Sequence, residues 1–205
     1  MSEQWNTRKS LLLRAADQND HKAFEEFTVY YEDFIRIIIM KLGVTTEDYK
    51  DLQQNILLKL WQSLSKFDFN HEKVSFRGWL GTIIRNDVYK FYNKKKRSQE
   101  NITSENSLSL SIDDLNSSSS ENEFQQIIEE EWKAYVITIA IEHIKPYFSG
   151  NAMEIFSLTL DGLSVKEIAD KLNVKENTVY MLRSRVKARF QQEVKNIRQL
   201  LEFPQ

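Results

Sequence analysis

From Ala23 to Ile39 the apolar residues Ala23, Phe24, Phe27, Tyr30, Tyr31, Phe34, Ile35, Ile38 and Ile39 recur at intervals of three and four. That spacing puts all of them on one side of an α-helix and conflicts with the two-residue alternation of a half-buried strand. So wide a stripe must be covered by other elements, and Gly43 marks where the helix stops. No stretch of the chain alternates as a strand does, and five Gly and two Pro in 205 residues leave few breakers. The fold class expected is therefore all-α.

Further helices follow from the same periodicity. Thr45, with Asp48 three residues later, resembles a capping box that opens a helix through Leu52, Ile56, Leu57, Leu60, Trp61 and Leu64. After a mixed loop, Lys66 to Ser75, a helix is expected from Phe76 to about Lys96, with Phe76, Trp79, Leu80, Ile83, Ile84, Val88 and Phe91 inward and a basic opposite side.

Charge divides the chain more sharply than its net value of -2 suggests. Phe76 to Arg97 holds seven basic residues against the single acid Asp87, whereas Ser98 to Glu131 holds nine acids and no base. The early part of the acidic block is rich in Ser and Asn and lacks a helical stripe, so it reads as a disordered linker. Helical spacing resumes with Phe124, Ile127, Ile128, Trp132 and Tyr135. The expected organisation is two small helical domains, 1–97 and 122–205, joined by a flexible acidic linker over 98–121.

The second domain carries the sharpest local signal, Gly162 through Tyr180. Ser164 can accept from the amide of Glu167 while Glu167 reaches back to Ser164, which fixes the start of a short helix. Ala169 is small where two helices approach closely, and Asn173 tolerates the left-handed backbone of a sharp turn. A second helix beginning near Asn177 sets Arg183, Arg185, Lys187 and Arg189 beside apolar Val179, Leu182, Val186 and Phe190. One face packs and the other is cationic, as in the recognition helix of a helix-turn-helix whose first turns enter the major groove.

Catalysis finds no footing. There is no Cys, the three histidines (His21, His71, His143) are scattered, and neither a glycine-rich phosphate loop nor a metal-ligand spacing occurs. An enzyme is not expected, nor a cofactor, nor a bound metal. The three-residue run Leu11 to Leu13 is too short for a signal-peptide core or a membrane span, so a cytoplasmic protein without membrane insertion is expected.

Two segments of the first domain resemble the sigma-70 family of bacterial RNA polymerase sigma factors. Asp51-Leu52-Gln53-Gln54-Asn55-Ile56-Leu57-Leu58-Lys59-Leu60-Trp61 is similar to that family's Asp-Leu-Val-Gln-Glu-Val-Phe-Leu-Arg-Leu-Trp, and Phe76 to Asn86 to its Phe-x-x-Trp-Leu-x-x-Ile-Ala-Arg-Asn. Leu163, Ser164, Glu167, Ile168, Ala169, Thr178 and Val179 fit the family's carboxy-terminal pattern. The two-domain layout resembles the extracytoplasmic-function (ECF) subgroup.

The resemblance implies a factor that binds core RNA polymerase and directs promoter-specific initiation. Asp51, Gln54, Asn55, Leu58 and Trp61 would grip the clamp helices of the largest polymerase subunit. Phe69, Asn70, His71, Arg85, Asn86, Tyr89, Lys90 and Lys94 would meet the minus-ten element, with Lys94 to Arg97 on backbone phosphates. Lys175, Glu176, Asn177, Thr178, Tyr180, Met181, Arg183, Ser184 and Arg185 would meet the minus-thirty-five element. The partners implied are core polymerase and promoter DNA, with an anti-sigma protein as a further candidate. This chain departs from the family pattern at Lys90, Lys175 and Leu182. A helix-turn-helix by itself would equally suit a conventional regulator that acts without stable polymerase binding.

Overall fold

The computed structural model describes residues 11–69, 75–99 and 118–201. Among them the regular elements are all helical: α1 (Leu11–Ala15), α2 (His21–Lys41), α3 (Tyr49–Ser63), α4 (Phe76–Gln99), α5 (Ser118–Ile144), α6 (Ala152–Leu160), α7 (Val165–Leu172) and α8 (Glu176–Leu201). Short 3-10 turns follow α3 at Leu64–Lys66 and α5 at Lys145–Tyr147. The all-α expectation holds. Two compact units are present, Met1–Lys133 with Leu200–Gln205, and Ala134–Gln199.

The first unit is built around α2. Asp20 caps it, accepting from the amide of Ala23, and Gly43 at φ 84° ends it, in a left-handed conformation that a side chain would strain. Phe27, Tyr31, Phe34, Ile35, Ile38 and Ile39 are fully buried along its stripe. Against them pack Leu52, Ile56 and Leu60 of α3 and Phe76, Leu80, Ile84 and Val88 of α4. The capping box expected at Thr45 does not form. The Thr45 hydroxyl donates instead to the Asp48 carboxylate at 3.0 Å, and α3 starts at Tyr49 with Asp48 as an N-cap whose side chain accepts no bond from the helix amides. Asp48 is drawn to α4, where Lys95 Nζ donates to it at 2.8 Å.

The first unit also contains the beginning of α5. Phe124, Ile128 and Trp132 are 6%, 0% and 2% exposed. The Trp132 ring stacks on Tyr31 (centroids 5.6 Å apart) and meets Phe34 edge-on at 5.0 Å. Burial of each such side chain is worth about 1.5–3 kcal/mol, enough to place this stretch with the first unit although the sequence reading opens the second domain at 122. Of the expected linker over 98–121, residues 98–99 continue α4, 118–121 begin α5 and 100–117 lie outside the described residues. The buried Tyr31 hydroxyl donates to the carbonyl of Leu201 at 2.7 Å.

In the second unit, Ile144, Ala152, Phe156 and Val186 form one core cluster, and Ile155, Ile168, Ala169 and Val179 another, with Leu182 packed against both. The capping box at α7 is complete: Ser164 Oγ accepts from the Glu167 amide at 3.3 Å, and Glu167 accepts from the Ser164 amide at 2.8 Å. Asn173 then turns the chain at φ 49°, ψ 49°. Glu167 is held ionised to lower pH than usual by its bonds to the Ser164 side chain and backbone.

Candidate nucleic-acid interface

Three sets of side chains emerge on these helices. On α3 the core faces inward through Leu52, Ile56 and Leu60, so helical geometry turns Asp51, Gln54, Asn55 and Leu58 outward as one stripe. Leu58 is 54% exposed and lies on the same face as the exposed polar side chains of Asp51, Gln54 and Asn55. Trp61, at the end of the stripe, is half-buried, stacked on His21 at 5.2 Å and edge-on to Phe24 at 4.7 Å. Its role in shaping the first unit is therefore larger than its surface.

Along α4 the outward stripe is Asn86, Lys90 and Lys94, all exposed, with half-buried Tyr89 beside them. Arg85 stands at the edge of this stripe, half-buried, its guanidinium 5.9 Å from the centroid of the Phe124 ring of α5. Phe69 lies in the aromatic cluster that precedes α4, edge-on to Phe67 at 4.9 Å, and Phe67 in turn meets Trp79 at 5.0 Å and Phe76 at 5.7 Å. Asn70 and His71 lie outside the described residues. Lys95, within the basic run assigned to phosphates, is turned to Asp48 and sits over the Phe91 ring at 5.6 Å, and like Lys94, Lys96 and Arg97 it is exposed. Its charge is thus partly balanced by a surface carboxylate.

In the second unit the first turns of α8 divide cleanly. Val179 and Val186 are buried, whereas Lys175, Glu176, Asn177, Tyr180, Met181, Ser184 and Arg185 are exposed, with Thr178 and Arg183 half-buried. Three guanidiniums lie over aromatic rings: Arg183 over Tyr180 at 5.4 Å, Arg185 over Phe148 at 5.7 Å and Arg189 over Tyr147 at 4.6 Å. Such stacking limits the freedom of long side chains without consuming their hydrogen-bond donors. The sequence reading did not connect Tyr147 and Phe148 to this face, since nothing local relates a turn before α6 to the basic side of α8. It also left Arg77 unassigned. Arg77 pairs with Glu129 at 3.2 Å, and the clue available was two helix-interior glycines, Gly78 and Gly81, close behind it.

An exposed polar and apolar stripe, a basic helix with an aromatic cluster at its start, and a capped helix-turn-helix suit a nucleic-acid-binding protein that also docks on another protein. Residues 28–98 match the family described as Sigma-70 region 2. That match takes in α3, α4 and most of α2. Residues 148–203 match the family described as bacterial regulatory proteins, luxR family, in agreement with the helix-turn-helix of α7 and α8. No curated protein matches the chain. Similar solved structures include CnrH in complex with the cytosolic domain of CnrY, at 17% identity and TM-score 0.36, covering 92% of this chain and 97% of that one. Another is the sigma factor RpoE in complex with the anti-sigma factor NepR from Bartonella quintana, at 19% identity and TM-score 0.34, covering 85% and 98%. Among the described residues, no helix is long and apolar enough to cross a membrane, and no group of three or more His, Cys, Asp or Glu could hold a metal ion.

Proposed function

We propose that this chain is a sigma factor of the two-domain ECF kind and directs promoter-specific initiation by binding core RNA polymerase through α3. The observation that carries the reading is the outward stripe of Asp51, Gln54, Asn55 and Leu58, whose half-exposed leucine lies among polar anchors and suits a partner helix such as the clamp helices of the largest polymerase subunit. Asn86, Tyr89, Lys90 and Lys94 of α4, with Arg85 and the Phe69 loop, serve the minus-ten element. The start of α8 serves the minus-thirty-five element, its exposed side chains reading base edges while Arg and Lys neutralise phosphates. Neither surface needs high affinity alone, because joining them in one chain raises the effective concentration of the second contact. An anti-sigma protein belongs to the proposal as a partner of the family.

A pair of substitutions tests the division of labour. Leu58→Asp should abolish co-elution with bacterial core polymerase, whereas Arg183→Ala should leave co-elution intact and weaken binding of the upstream promoter region. Equal effects of both substitutions on both measurements would contradict it.

A further inference from the structure

The outward face of the first turns of α8 runs through Asn177, Tyr180, Met181, Ser184 and Arg185, at helical spacing, while Val179 and Val186 on the opposite side are buried. Its middle turn is apolar. Tyr180 is 51% exposed and Met181 63%, and among the described residues they are the one place where two exposed large hydrophobic side chains are neighbours in sequence. Single apolar residues at a surface need no explanation. An adjacent pair does, on the face that the capped α7, the Asn173 turn and the basic residues Arg183, Arg185, Lys187 and Arg189 direct to DNA.

Hydrogen-bonding capacity is scarce on that turn. Met181 has only a weakly accepting sulfur, and the Tyr180 ring, with its single hydroxyl, lies under the Arg183 guanidinium at 5.4 Å. A guanine, adenine or cytosine edge pressed against the thioether would lose its water and gain no partner. Thymine differs, because its 5-methyl group projects into the major groove and takes apolar contact. An unbranched thioether adapts to such a methyl, and an aromatic ring restrained by a cation offers a firm wall on the same face. Asn177, one turn earlier, is of the type that pairs bidentately with adenine.

We infer that α8 selects an element containing A·T pairs through apolar contact of Met181 and Tyr180 with thymine 5-methyl groups, with phosphate neutralisation left to the basic side chains around them. The inference rests on the DNA-binding role proposed for α8 and names the bases it prefers. It applies equally to a chain seated on polymerase and to one acting alone.

Deoxyuridine lacks only that methyl and keeps the hydrogen-bonding edge of thymine, so it isolates the contact. Duplexes are enriched from a random-sequence pool by the whole chain, alone and mixed with bacterial core polymerase, and the element whose enrichment falls in Arg185→Ala is the one α8 reads. That element should contain thymine. Replacing its thymines one at a time by deoxyuridine should weaken binding about fourfold at one or two positions, the value of one buried methyl group. Met181→Leu should keep this penalty, while Met181→Ser combined with Tyr180→Ser should bring thymine and deoxyuridine to equal affinity. Both side chains are exposed, so these substitutions leave the core filled. An enriched element without thymine, deoxyuridine tolerated throughout by the wild-type chain, or a penalty that persists in the double serine variant would overturn the inference. Enrichment of no duplex, or of none that depends on Arg185, would remove the DNA-binding role of α8 and the inference with it. A thymine-dependent element enriched by the chain alone, with no co-elution with core polymerase, would sink the sigma-factor reading while leaving the inference standing.

Discussion

Lys59 of α3 pairs with Asp87 Oδ1 of α4, and Asp87, only 4% exposed, has no hydrogen-bond partner for Oδ2. The pair ties the helix proposed to hold polymerase to the helix proposed to meet DNA. Lys59 follows Leu58 directly, and Asp87 follows Asn86. Losing the lysine leaves a buried carboxylate alone. With the Lys59 side chain 44% exposed, Lys59→Met should cost about 2–3 kcal/mol, below the range for a fully buried pair. Adding Asp87→Leu should recover most of that loss, because an apolar side chain removes the desolvated charge. Urea denaturation of the two variants checks this, and a double variant no more stable than the single would contradict it.

Asn173 occupies the left-handed region at φ 49°, ψ 49° between α7 and α8. Asn173→Gly should therefore be close to wild type, while Asn173→Val should destabilise the helix-turn-helix by about 1–2 kcal/mol through steric strain. Thermal unfolding of the two variants gives the comparison.

Protonation of Glu167 should open the capping box. Its pKa in the fold is lowered, chiefly by the Ser164 side chain, so its contribution is fully present above the ordinary Glu value of 4.5 and is lost as pH falls through the lowered folded value. Amide exchange at the first turn of α7 should rise in that acidic window. In Glu167→Gln this pH dependence should disappear, with the exchange set by a neutral cap throughout.

How much of this was legible in the sequence depended on range. The α2 stripe, the Gly43 stop, the Ser164–Glu167 box and the Asn173 turn are written in residues within one or two turns of each other, and each appears as expected. Thr45 misled because its motif is equally local but its acid is drawn to Lys95, far along the chain. The docking of Phe124, Ile128 and Trp132 is a long-range event. Their helical spacing was visible, but a stripe does not state which helix will cover it, and the acidic run before it read as a solvated linker. Gly78 and Gly81 were the available trace of that contact. The outward faces of α3 and α8 followed directly from which neighbours turned inward, whereas Asn70 and His71 lie outside the described residues.

On α8, Arg183→Ala should reduce affinity for promoter DNA by about 1–3 kcal/mol if it reads a base, with discrimination relaxed at one position. A phosphate contact would instead weaken all sequences alike and lower the salt slope by about 1. Titrations of a promoter and a scrambled duplex at two salt concentrations distinguish the two roles. Tyr147→Ala, which removes the ring under Arg189, should act like the phosphate case.

We propose that these helices recognise gene-start DNA only when seated on polymerase. Purified chain and bacterial core polymerase, mixed and passed through a sizing column, should co-migrate, and the pooled complex should start transcription at defined sites on a genomic template where core alone does not. Sequence-specific DNA binding by the isolated chain, undiminished without core and with no co-migration, would contradict the account.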